Sequence, residues 1–364
     1  MTHIDRRQFL AGALAILPSA ALLTADPDRR PPRMPDEAAP HTRTWMCWPH
    51  VAAIYEGERA LEAVRRDLVR LARAISAFES VAMVVHPDDR RKARALLGRE
   101  IELLALPVDD LWMRDSGPVF VIDDRGALAA CGLNFNGWGR KQRHRRDRWV
   151  AERVAHELGV PFTRAELVAE GGAFEVDGAG TLLAAESSII NRNRNPGKSK
   201  SEIEAALTAA VGATRFIWVP GIRGKDITDY HVDAVARLVR PGVAVVELPP
   251  AGTPKSIWTR AAHTNLERIR DARDQQGRRM EVALLTQPRR VRVAAPDFVN
   301  CYANYYVVNG AVIAPEFGDH DADERAADTL ARLYPGRRVV QINIDTIATF
   351  GGGLHCVTQQ QPAL

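Results

Sequence analysis

The chain has 364 residues, 46% hydrophobic and 26% charged, with a formal net charge of +4. That suits a globular protein with a core large enough to need no staples, and length alone allows either two domains or one large α/β domain. The mild charge gives no general case for nucleic acid or an anionic membrane, and the four cysteines, Cys47, Cys131, Cys301 and Cys356, stand far apart without a CxxC pair, which excludes a disulfide scaffold and disfavours zinc.

Residues 1–25, "MTHIDRRQFLAGALAILPSAALLTA", pair Arg6 with Arg7 ahead of Phe9, Leu10 and a short apolar run that Pro18 interrupts. The run is too short to span a bilayer, and the layout is that of a twin-arginine export signal. A basic tail or a signal anchor is the plainer alternative. Ala25 is small enough for cleavage, whereas Leu23 suits the position two before it poorly. A periplasmic or secreted protein is therefore expected, with no stable membrane association after cleavage and a cytoplasmic location as the alternative. Residues 26–40 follow as a polar, proline-rich linker, and 41–362 form the remaining domain.

Residues 58–77 place Leu61, Val64, Leu68, Leu71, Ala72 and Ile75 at helical spacing. "SVAMVVHP" then reads as a buried strand ended by proline, "RKARALL" as a short helix, and 147–158 and 201–211 as two further helices. Three stretches, "VFVIDDRGALAA", "AFEVDGAGTLLAAES" and "NYYVVNGAVIAPEFG", each run strand, turn, strand. Their recurrence suggests a repeated hairpin-plus-helix module closed into a ring. The basic run "GRKQRHRRDRW" (139–149) reads as a solvated face; with Trp138 and Trp149 it invites comparison with a nucleic-acid patch, but the overall charge is too low and no nucleic-acid partner is expected.

The C-terminal stretch "GGGLHCVTQQQP" sets Cys356 beside His355, behind three glycines. Alone, a cysteine is more often a buried apolar residue than a nucleophile. "DDLWMRDSGPVFV" supplies Trp112 and Asp115, "AEGGAFEVDG" supplies Glu170, and "DITDYHVDA" supplies His231 and Asp233, which share a face if the backbone is extended. A thiol and an imidazole suit an amidase or protease. Three carboxylates, however, would repel the oxyanion such enzymes stabilise. They suit a guanidinium, which is planar, permanently charged and matched by paired carboxylate hydrogen bonds. Clamping that cation against a thiolate is chemistry by proximity.

"WMRDSGP", "EGGAFEVDGAGTLLAAESSIINRNRNPGKSK", "DITDYHVD", "YANYYVVNGAVIAPEFGD" and "GGGLHCVTQQQP" occur in an order that resembles the agmatine deiminase and bacterial peptidylarginine deiminase family, as does "HTRTWMCWPH" near the start. The resemblance covers roughly residues 40–362. It implies an α/β fold, a five-bladed propeller of ββαβ modules, with no metal or organic cofactor. It implies Cys356 as nucleophile, His231 as general acid and base, Asp115 and Asp233 as guanidinium ligands, Glu170 orienting the histidine, and Trp112 lining the channel. The motif departs at Ile227, where agmatine-specific members carry an acid for the distal amine, with Asp229 or Asp226 as substitutes, and at Tyr230, which replaces the glycine beside His231. The expected partner is thus a small guanidino substrate, agmatine or a related guanidine, or an arginine peptide in an exported peptidylarginine deiminase. An amidase and an exported binding protein without activity are the other classes weighed. A homo-oligomer is left open.

Overall fold

The computed structural model describes residues 31–364. The export signal and residues 26–30 of the expected linker lie outside them.

One wiring recurs through the described chain. A hairpin of two antiparallel strands leads into a helix, and the helix returns the chain to a third strand parallel to the second. In the second module, β4 (Val119–Ile122) and β5 (Leu128–Gly132) pair antiparallel, α2 (Val150–Leu158) crosses over, and β6 (Phe162–Arg164) pairs parallel to β5. The third repeats this with β7 (Phe174–Val176), β8 (Thr181–Ala185), α3 (Lys200–Val211) and β9 (Arg215–Val219). The fourth uses β10 (Ala236–Arg240), β11 (Val243–Leu248), α4 (Ile257–Asp271) and β12 (Glu281–Thr286). The fifth uses β13 (Tyr306–Val308), β14 (Ala311–Pro315), α5 (His320–Leu333) and β15 (Arg338–Ile342). A parallel neighbour requires such a crossover, and a helix provides the length.

The first module is divided between the chain's two ends. β1 (His41–Cys47) runs into α1 (Glu58–Ser76) and on to β2 (Ser80–Val85), with β3 (Glu102–Ala105) added parallel at the edge. Its hairpin partner is β16 (Gln359–Pro362), paired antiparallel with Trp45 opposite Gln359. The five sheets thus share one ββαβ plan, the first being completed by the last strand. These are the five ββαβ modules of the α/β propeller that the resemblance implies.

Helix α1 forms as its spacing predicts. Leu61, Val64, Leu68, Leu71, Ala72 and Ile75 are buried and share a cluster with Met46, Trp48, Met83 and Val85 of the sheet. The 147–158 helix divides into a tight turn, Asp147–Trp149, followed by α2. Helices α4 and α5 carry weaker apolar periods: α4 buries Ala262, Asn265, Leu266 and Ile269, and α5 buries Ala322, Asp323, Ala326 and Leu330. Their starts are marked instead by Ser256 and Asp319, whose side chains accept from the backbone N–H groups of Thr259 and Ala322.

Residues 33–40, read as the end of a linker, belong to the folded unit. Arg33 bridges to Ile122, the Met34 N–H donates to the Val211 carbonyl at 3.0 Å, and Glu37 is buried. Among the described residues no helix is long and apolar enough to cross a membrane.

Candidate active site

The joint that enters each hairpin carries a polar side chain. Asp115 lies on the short helix Met113–Ser116 before β4, and Glu170 stands immediately before the tight turn Gly171–Ala173 that leads into β7. His231 caps the turn Val232–Ala234 before β10, and Asp233 lies within that turn. Asn304 stands before β13, and His355 and Cys356 stand before β16. Five equivalent joints in five modules thus bring their side chains to one place. His231 and Asp233 meet there through a 3₁₀ turn rather than the extended backbone that the sequence suggested.

Cys356 Sγ lies 3.6 Å from Asp233 Oδ2, and Asn304 Nδ2 donates to Sγ at 3.3 Å. His231 Nε2 lies 3.3 Å from Glu170 Oε2, and its Nδ1 lies 3.7 Å from Asp115 Oδ2. Glu170 in turn accepts from Arg194 Nε at 3.0 and 3.2 Å. Asp115 accepts from Trp138 Nε1 at 2.9 Å and from the Gly172 N–H at 3.0 Å. Gly172 is where the groups converge: a Cβ there would lie 2.8 Å from His231 Nδ1, 2.9 Å from Asp233 Oδ2 and 3.0 Å from Asp115 Oδ1. Asp233 is 1% exposed, and its Oδ1 is a buried acceptor without a hydrogen-bond partner among the described residues. Such an orphan is costly in a folded protein and calls for a donor.

The glycine run has three separate reasons. Gly351 adopts φ +87°, in the left-handed region, whereas a Cβ on Gly352 would strike the Trp112 ring and one on Gly353 the Asn304 side chain. Trp112 is buried against that run and meets Trp138 edge to face, with 6.4 Å between ring centroids.

Charge is crowded here. Burial, then the charges of Asp233 and Asp115, push the Cys356 thiol well above its usual pKa. Burial opposes protonation of His231, but Asp115, Glu170 and Asp233 outweigh it and raise its pKa to about 9. Burial raises Asp115. It acts the same way on Asp233 and Glu170, but His355 and His231 more than offset it at the first and Arg194 and His231 at the second, so both are lowered. At neutral pH the site therefore holds a thiol, an imidazolium and the ionised carboxylates of Asp233 and Glu170.

Asp229, expected among the substrate-binding groups, has its carboxylate on other work. It takes Arg194 Nη1 at 2.6 Å, Lys141 Nζ at 2.7 Å, Asn193 Nδ2 at 3.0 Å and the Gly224 N–H at 2.7 Å. It anchors Arg194, which anchors Glu170. The basic run is likewise stitched inward: Arg143 and Arg146 both reach Asp109, at 3.2 and 3.0 Å, while Lys141 holds Asp229. Trp138, noted from sequence only beside the basic run, and Arg194, Asn304 and Glu37 were not expected in the site. The glycine-flanked "NGWGR" and the repeated "NRNRNP" were the visible traces of the first two.

Cys47, Cys131 and Cys301 are buried, and Cys356 is the partly exposed thiol among the four. Among the described residues, the His/Cys/Asp/Glu group close enough to hold a cation is His50, His86 and Asp88, none of which belongs to the site above.

Residues 33–362 match the family model described as Porphyromonas-type peptidyl-arginine deiminase. A Streptomyces coelicolor relative is 41% identical over 337 residues, 91% of this chain and 98% of its own. The agmatine deiminase of Ectopseudomonas mendocina is 36% identical over 369 residues, 94% of this chain and 98% of its own. Among solved structures, agmatine deiminase of Enterococcus faecalis superposes with a TM-score of 0.83 at 29% identity, covering 91% of this chain and 96% of that one.

Proposed function

The chain belongs to the Porphyromonas-type peptidyl-arginine deiminase family, and from that premise we propose that it hydrolyses agmatine to N-carbamoylputrescine and ammonia at the cage around Gly172. It is a hydrolase of linear amidines. The observation that carries the reading is the buried, unpaired Oδ1 of Asp233 beside the Cys356 thiol. A site with three carboxylates and an orphan acceptor suits a planar cation and opposes an oxyanion. That weighs against an amide hydrolase.

Guanidinium enters between Asp115 and Asp233. Its positive charge lowers the cost of ionising Cys356, and the thiol proton leaves to solvent. Sγ attacks the guanidinium carbon to give a tetrahedral adduct. His231, an imidazolium, donates its proton to the departing ammonia. The S-alkylthiouronium left on Cys356 is then attacked by water, which gives a proton to the now neutral His231. Collapse expels the sulfur, which takes the adduct's hydroxyl proton and returns as the Cys356 thiol, and leaves a neutral ureido product. Glu170, fixed by Arg194, orients and charges His231.

A second reading, deimination of arginine within peptides, draws on Ile227, which is partly buried and packs on the apolar cluster containing Trp112. The residue offers no charge to a distal ammonium. A colorimetric ureido assay with agmatine, free arginine and arginine peptides, run beside Cys356→Ala, separates the readings. Turnover of agmatine foremost is expected. Turnover of peptides alone would replace the first reading with the second, and no turnover of any guanidine would overturn both. We also propose export through Arg6 and Arg7. Changing both to lysine should hold the precursor in the cytoplasm, and continued arrival in the periplasm would refute it.

A further inference from the structure

We infer that Glu37 and His355 are positioning residues that keep Asp233 ionised and leave its Oδ1 free for the substrate cation. The inference rests on the proposed guanidine chemistry of the site. Behind Asp233 runs a buried line of groups with alternating charge. His355 Nδ1 lies 2.8 Å from Asp233 Oδ2, and His355 Nε2 lies 2.8 Å from Glu37 Oε2. Glu37 meets Arg114 Nη2 at 3.1 Å and Arg237 Nη2 at 2.9 Å, and its Oε1 accepts from the Val307 N–H at 2.9 Å. The remaining carboxylate facing the ring, Glu175, lies 3.9 Å from Nε2 and is itself tied to Arg237 Nε at 2.7 Å. The side chains of His355 and Asp233 are each 1% exposed, so bulk solvent does not reach the bond between them.

Both ring nitrogens of His355 thus face carboxylate oxygens. Each needs a proton to make its bond, so the ring is a cation when both bonds are made. The signs then run arginine plus, Glu37 minus, His355 plus, Asp233 minus. The next member in that order is the incoming guanidinium. Hydrogen bonding to Oδ2 fixes the carboxylate's rotation and stabilises its charged form. Asp233 also faces His231, Cys356 and Asp115, and of these only His231 adds a favourable charge. His355 and the cation that completes the line therefore supply what the crowded acids remove. Glu37 sits in the segment that reads as linker, and His355 is the histidine of "LHC", which the nucleophile's own partner, His231, leaves without a role.

The test is selectivity for charge. In a Cys356→Ala background, agmatine and the neutral ureido product N-carbamoylputrescine are titrated by calorimetry, with and without Glu37→Gln. The variant should bind agmatine about 10- to 100-fold more weakly and the neutral product within about 3-fold of its parent. Equal losses for both ligands would mean a merely structural role, and no loss for either would mean none; each overturns the inference. If Glu37→Gln does not fold, a ¹⁵N-histidine spectrum of the wild type decides: a His355 ring with both nitrogens protonated is expected, and a ring with one bare nitrogen refutes the line of charges. Turnover of guanidines by the wild type tests the parent reading separately, and failure of Cys356→Ala to bind agmatine would sink that reading and this inference together.

Discussion

Proton count sets the behaviour of the individual residues. The free site holds Cys356 as a thiol and His231 as an imidazolium with a pKa of about 9. The reacting state needs thiolate together with imidazolium, which is one proton fewer. kcat/KM should therefore climb about tenfold per pH unit from neutrality until the free enzyme loses its first proton near pH 9, and then level off. kcat should level off at lower pH, because the bound cation makes the thiol easier to ionise. A kcat/KM that is flat between pH 6 and 8 would contradict the thiol–imidazolium ground state. Space matters as much as charge at Gly172, whose Cβ would enter the region where Asp115, Asp233 and His231 converge. Gly172→Ala should cut kcat/KM by about 10²-fold or more while circular dichroism stays unchanged, since small displacements of reacting groups carry costs of that size. Near-normal turnover would move the substrate elsewhere.

Loops and turns, rather than the sheets, carry the finer placement. Gly137, Trp138, Gly139 and Arg140 all have positive φ, at +68°, +53°, +82° and +65°. For tryptophan and arginine that conformation costs on the order of 1–3 kcal/mol each. Asn136 offsets part of it: its side chain accepts from the Gly139 N–H at 2.7 Å and its carbonyl from the Arg140 N–H at 2.9 Å. What the strain secures is the Trp138 N–H on Asp115. Trp138→Phe keeps the ring and removes the donor, so kcat/KM should fall by about 10- to 100-fold with little change in Tm; unchanged activity would show that the loop serves another end. This loop also marks the limit of what can be read from sequence. Hairpins at 119–132, 174–185 and 306–315 were visible because their turns carry glycine between apolar runs. The β10–β11 hairpin was not picked out, and no local pattern could pair β16 with β1 across the whole chain. Cys356, His231, Asp115, Asp233 and Glu170 were named because each stands beside a short punctuated motif. Arg194, Asn304 and Glu37 were not, because their roles depend on partners 24 to 318 residues distant. Asp229 looked like a ligand for the substrate because the chain alone does not reveal Arg194 and Lys141 waiting for it.

At the scale of the whole molecule, one strand completes both the sheet and the site. Gln359–Pro362 is buried along its length, Trp45 Nε1 donates to Gln361 at 2.9 Å, and Arg114 Nη1 donates to Gln360 at 2.8 Å. Removing residues 359–364 should leave β1 with an open, unpaired edge and lower Tm by roughly 10 °C or more. A truncated protein that melts like the intact one would show that the β16–β1 pairing is dispensable.

The same arrangement fixes when the protein becomes an enzyme. A ribosome makes β16 after every other described strand, so Asp115, Glu170, His231 and Asp233 are all synthesised before the thiol exists. A chain that stops short of His355 and Cys356 has the acids but neither that histidine to hold Asp233 nor a thiol to attack a cation. Catalysis waits for the stretch that carries Cys356, and a message cut short anywhere upstream of it yields a protein with no nucleophile for the reaction.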